Sequence, residues 1–131
     1  EIYMEEIMKI RTGFVSNSSS SSFVIFGRKI KDIFEITEND IKEKNIYFTT
    51  WGCDGTMLNK IETDEELRLC QFNGQHLDGF LEIVELISED GGIKMDSELF
   101  EKVKGYEIIT MVVDNCSLNS YKQMEEYFER Y

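Results

Sequence analysis

The apolar positions of this chain follow two rhythms, and the change of rhythm marks its elements. Phe23, Val24, Ile25 and Phe26 form a short apolar block between Ser22 and Gly27, the length and composition of a buried strand. A second block of β-branched and aromatic residues runs from Ile46 to Trp51 and stops at Gly52. The longest run, YEIITMVV over residues 106–113, is apolar at nearly every position and ends at Asp114 and Asn115. It predicts a central strand covered on both faces.

Between these blocks the spacing turns helical. Thr63, Asp64, Glu65 and Glu66 have the S/T-x-x-E form of a capping box, which predicts a helix start. Residues 79–87 set Glu82 and Glu85 among apolar neighbours and are followed by Gly91 and Gly92, predicting a core-packing helix with a glycine exit. Asp96 is placed to cap a helix that runs to Lys104, with Gly105 just beyond. The closing segment from Asn119 to Arg130 carries Tyr121, Met124, Tyr127 and Phe128 at helical spacing, a stripe that reads as core. One further helix is expected between the first two strands. With no proline, no repeat and no linker-like break besides the serines, the expectation is one α+β domain. It comprises a small mixed sheet of about three to four strands packed by four or five helices over residues 23–131, preceded by an arm over residues 1–22. A three-layer α/β arrangement is the alternative.

Composition changes this picture little: 131 residues with 41% hydrophobic content are enough for a single core. Cys53, Cys70 and Cys116 are odd in number, and with one histidine they predict no structural zinc site. No apolar run approaches the ~20 residues of a membrane span, and no cofactor motif is present. A reduced, cytoplasmic protein is the economical reading.

Charge changes it more. The net charge is −12, unevenly spread. Residues 1–31 set three acids, Glu1, Glu5 and Glu6, against five bases, whereas the remainder holds 23 acids and 9 bases. Such a body repels a phosphate backbone, so direct nucleic-acid binding is not expected. A surplus of acids serves solubility in most proteins; the functional alternative is a negative face for a basic partner.

The serines at 18–22 run directly into the first strand. Too few residues precede them for an interdomain linker, and a phosphate loop would need glycines, a lysine and a following helix. The sequon at Asn17, Ser18 and Ser19 bears only on a secreted protein. Arg11, Ser16, Asn17, Ser18, Ser19, Ser20, Ser21 and Ser22 are therefore expected to serve recognition. Residues 9–23, KIRTGFVSNSSSSSF, resemble the opening K-I-R-x-G-F-V-S-N-S-S-S-S-S-F of small uncharacterised proteins of tailed bacteriophages and some bacteria. That resemblance implies a phage or prophage accessory protein in the host cytoplasm, acting on a host or virion protein, and brings no catalytic residues with it. In that group the motif stands at the extreme N-terminus. Here Glu5, Glu6, Ile7 and Met8 can be encoded as a purine-rich ribosome-binding site read through to a start at Met8; the other reading starts the chain at Met4 or earlier.

Two constellations admit chemistry. In WGCDGT, residues 51–56, two glycines flank Cys53 just past a strand end, a common place for a reactive group. His76 as base and Asp78 as orienting acid complete a Cys/His nucleophile on paper, although a tight turn over a buried thiol explains the same letters. The second is similar to the mono-ADP-ribosyltransferase pattern of an arginine, a serine-rich strand start and a later glutamate. Arg11, Ser20, Ser21, Ser22 and Glu107 fit those roles without the S-T-S and E-x-E letters. Adjacent carboxylates such as Glu65/Glu66, Glu89/Asp90 and Glu125/Glu126 read as solvated faces, because general acid–base work needs a burial that adjacency does not supply. The reading is a non-enzymatic protein that binds a basic partner through an acidic surface, with a small transferase as alternative.

Overall fold

A computed structural model describes residues 20–89, 95–114, 116–118 and 120–130. Five strands form a closed barrel: β1 (Ser20–Ile30), β2 (Ile46–Trp51), β3 (Thr56–Lys60), β4 (Gly79–Ser88) and β5 (Glu107–Asp114), in the order β1-β4-β2-β3-β5. Neighbours are antiparallel except β3 and β5, whose parallel contact is the single pair Thr56 and Val113. Among the described residues, four short helices lie outside it: α1 (Glu38–Glu43), α2 (Asp64–Phe72), α3 (Ser97–Val103) and α4 (Tyr121–Phe128).

Strand alternation divides the apolar side chains into an inner and an outer set. Phe23, Ile25, Leu58, Leu81, Ile83, Leu86 and Val113 fill the barrel. On the outside, Ile46 and Phe48 of β2 meet Ile41 of α1, Leu67 and Cys70 of α2, and Met124 and Phe128 of α4. A second outer cluster sets Leu99 and Val103 of α3 on Val24 and Phe26 of β1 and Ile87 of β4. Burial on both faces explains why the Phe23–Phe26 part of β1 reads as a continuous apolar run.

This architecture corrects the expected sheet of three to four strands under four or five helices. Residues 79–87 are strand β4, not a helix. Opposite β1 the register slips between Phe26 and Gly27, leaving Val84 as an extra residue. The bulge resets the alternation, so Glu82 and Glu85 face the same outer side although three residues apart. There Arg28 pairs with Glu82, and Lys102 Nζ lies 2.6 Å from Glu85. Both carboxylates are buried while their cations stay half exposed, so each charge enters the protein already paired. The exit expected at Gly91 and Gly92 lies outside the described residues. Strand β3, within a stretch that gave only turn signals, is the other missed element. Strand β5 departs as well: Ile108 and Val112 on its outer face are exposed, because α3 covers β1 and β4 but not β5.

The capping signals at Thr63 and Asp96 hold. Thr63 Oγ1 accepts from the Glu66 amide at 3.1 Å while Glu66 Oε1 accepts from the Thr63 amide, and Thr37 and Asp40 build the same box at α1. Asp96 caps α3 through the Leu99 amide at 2.8 Å. The barrel and the outer helices are joined by Asn59, fully buried on β3. Its amide reaches the Phe48 carbonyl and Thr50 Oγ1, and its Oδ1 accepts from the Leu118 amide just ahead of α4.

Candidate functional site

Two places combine exposure with definite chemistry. The first is the end of the barrel where β5 stops at Asp114. The connection between β2 and β3 is a four-residue turn closed by the Gly52 amide on the Gly55 carbonyl at 2.8 Å. It lies directly on β5. A Cβ at Gly52 would collide with the Asp114 carboxylate, and Gly55, at a φ of +149°, sits against the Val112 carbonyl. Glycine at both positions is what lets the turn close over this strand end.

Asp114, 4% exposed, is the hub of the turn. Its Oδ1 accepts from the Cys116 amide at 3.0 Å and its Oδ2 from the Asp54 amide at 3.2 Å. The Cys53 amide and the Cys116 thiol also face this carboxylate and help to lower it. These donors, the Cys116 amide foremost, hold the Asp114 carboxyl below the usual carboxylate range. The same negative charge pushes the Cys116 thiol up, with Cys53 and Asp54 adding to it. Cys53 and Cys116 are both exposed free thiols, while Cys70 is buried in the helical cluster and its thiol is raised by desolvation.

The expected buried thiol in the 51–56 turn is therefore exposed. What the fold sets beside Cys53 is Asp114 and Cys116. His76 lies in a separate 3-10 turn, Gly74–His76, within 3.3 Å of Gln75 Nε2. Asp78 borders β2 through its amide on the Thr49 carbonyl. The transferase set is spread along one ladder. Ser20 pairs with Asp114 and Gly27 with Glu107, so the serine end and Glu107 are roughly 23 Å apart at about 3.3 Å per residue. Arg11, Ser16, Asn17, Ser18 and Ser19 lie outside the described residues. Asp114 carried no sequence signal beyond ending a strand, and Cys116 became part of a pair only through the fold.

The second place is on the helical side. The 3-10 turn Ile33–Glu35 is braced on the C-terminal turn of α2, where Gln71 Nε2 donates to the carbonyls of Ile33 at 3.2 Å and Ile36 at 3.5 Å. Arg68 and Glu38, at 3.6 Å, join α2 to α1 alongside. On these tied segments Phe34 is 71% exposed and Phe72 84%. The exposed acids Asp32, Glu35, Glu38 and Glu43 lie on the same turn and on α1.

A depression of about 490 Å³ also opens at the barrel mouth, lined by Lys29, Lys31 and Asp78 with Thr49, Leu81 and Ile109. Its charges are of both signs and select no ligand class. Among the described residues no three His, Cys, Asp or Glu side chains are grouped to hold a metal ion, and no helix is long and apolar enough to cross a membrane. The chain matches no protein-family model, no curated protein and no solved structure.

Proposed function

We propose that this is a non-enzymatic binding protein that docks a basic segment of a partner protein on the face carrying Phe34 and Phe72. The observation that carries the reading is that two phenylalanines, 71% and 84% exposed, stand on segments which Gln71 fastens together. An exposed phenylalanine gains nothing for the fold, and aromatic anchors supply much of the energy of protein interfaces. The acids beside them and the net charge of −12 give the partner its sign. Complementary charge speeds encounter and rejects acidic competitors, while the rings hold the complex. The resemblance of residues 9–23 to phage and prophage openings supports a host or virion protein as that partner.

The test is a pull-down from bacterial lysate at low and high salt, comparing the wild type with a Phe34→Ser/Phe72→Ser double variant and with Glu35→Lys/Glu38→Lys. A partner held by the wild type at low salt should weaken as salt screens the rim and disappear with either variant. Substitutions at such exposed sites change stability by only about 0.5 kcal/mol, so lost capture reports on the surface. Capture that persists in both variants refutes the docking face. Labelling of host proteins from NAD that Arg11→Ala abolishes would establish the transferase reading instead.

A further inference from the structure

We infer that Cys53 and Cys116 form a two-electron oxidation site, where a hydroperoxide closes a disulfide between the β2–β3 turn and the segment after β5. Both thiols are free and exposed. Both residues also stand at one carboxylate: the Cys116 amide lies 3.0 Å from Asp114 Oδ1, and the Asp54 amide, next in the chain to Cys53, lies 3.2 Å from Asp114 Oδ2. Donors to one carboxylate are close neighbours, and a disulfide bridges Cα atoms about 4.4–6.8 Å apart. Neither cysteine belongs to a strand or helix, so small adjustments that bring the sulfurs together break no ladder.

The Asp114 charge assigns the two roles. It disfavours the Cys116 thiolate, which suits Cys116 to the resolving role and assigns the attack to Cys53, on the exposed turn. Cys53 sulfur attacks one peroxide oxygen and the O–O bond breaks. The departing oxygen takes a proton and leaves as water or an alcohol, and Cys53 becomes a sulfenic acid. Cys116 then gives its proton to water, and its sulfur attacks the sulfenic sulfur. The S–S bond forms, the S–O bond breaks, and the departing hydroxide takes up a proton from water and leaves as water. Two thiols are oxidised and one peroxide is reduced. The bond spans the seam where β3 and β5 share only the pair Thr56 and Val113, and it removes freedom from the unfolded chain, so the oxidised barrel melts at a higher temperature.

The experiment treats the fully reduced protein with hydrogen peroxide and maps peptides without reduction. The expected product is an intramolecular Cys53–Cys116 peptide lighter by two hydrogens, Cys70 still a thiol, and a melting midpoint that rises and falls back with dithiothreitol. In Cys116→Ser, a sulfenic-acid trap should label Cys53. Separate sulfinic acids without a linked peptide, links only between molecules, or a link through Cys70 would each overturn the site. Trapping on Cys116 in Cys53→Ser, with none on Cys53 in Cys116→Ser, would overturn the assigned roles.

Discussion

Asn59 offers the sharpest test of how this fold is held together. It is fully buried on β3, and its side chain links two strands to the segment that leads into α4. Its two amide hydrogens face three acceptors, the carbonyls of Phe48 and Met57 at 3.3 Å and Thr50 Oγ1 at 3.2 Å, so two bonds form at full strength. Its oxygen accepts from Leu118 at 2.6 Å. Asn59→Ala removes two donated bonds, each contributing about 0.5–1.5 kcal/mol, and leaves the Leu118 amide without its acceptor, at about 1–3 kcal/mol. The expected loss is about 2–6 kcal/mol, a large part of the ~5–15 kcal/mol that holds a domain together. At roughly 3–5 °C per kcal/mol for a chain of this length, the melting midpoint should fall by about 6–30 °C. Asn59→Asp keeps the acceptor for Leu118 but loses both donors and buries a charge, so it should be no better. Urea melts monitored by circular dichroism measure the loss, and hydrogen exchange locates it: amides of α4 should open before those of β1. An alanine variant within about 0.5 kcal/mol of wild type, or one that loosens β1 and α4 equally, would refute this account.

Two other outcomes follow from the same geometry. Gly27→Ala would drive a methyl into the backbone carbonyl of Glu82 at the register slip and should cost at least about 3 kcal/mol. Gly105→Ala, at a φ of +87° with open space around it, should cost only about 1–2 kcal/mol; thermal melts in which Gly105→Ala is the worse of the two would contradict the packing. Asp114 is held below its unfolded value, so its contribution is full above the ordinary carboxylate pKa of about 3.9 and fades as pH falls through the lower folded value. Asp114→Asn should therefore be less stable than wild type by about 1–3 kcal/mol near neutral pH, and the two should converge in acid. A gap in urea midpoints that stays constant down to pH ~2 would show that the charge does not hold the turn.

How much of this was legible from residue order depends on the range of the interactions. The capping box at Thr63 and the cap at Asp96 act over three residues, and helices appear where these signals stand. Strand β4 was misread because Glu82 and Glu85 mimic a helical spacing. Only the pairing with β1, more than fifty residues away, creates the bulge that turns both acids outward toward Arg28 and Lys102. The barrel itself depends on β1 pairing with β5 at the far end of the chain, which no window of neighbouring residues contains. The candidate sites divide the same way. Cys53 stood out locally through its flanking glycines, whereas Cys116 and Asp114 join it only after closure, and Gln71 reveals the Phe34–Phe72 face only once α2 is docked.

The serine run acquires a physical reason at this point. Its last three members are the first residues of β1, where Ser21 pairs with Val113 and Ser22 with Val112, and the Ser22 carbonyl accepts from the Glu89 amide at 3.0 Å. This is the end of the barrel where β1 runs past its register with β4, which begins at Phe23 opposite Ser88. It is also where β5 closes on the β2–β3 turn at Asp114. Pairing here is carried by the backbone, which any residue but proline supplies, so the strand needs no apolar side chain before Phe23. Small side chains suffice to let the strands approach, and large apolar ones would stand on half-exposed surface and invite association. The sequence can thus stay polar while the sheet continues, so strand β1 begins three residues before its hydrophobic pattern does.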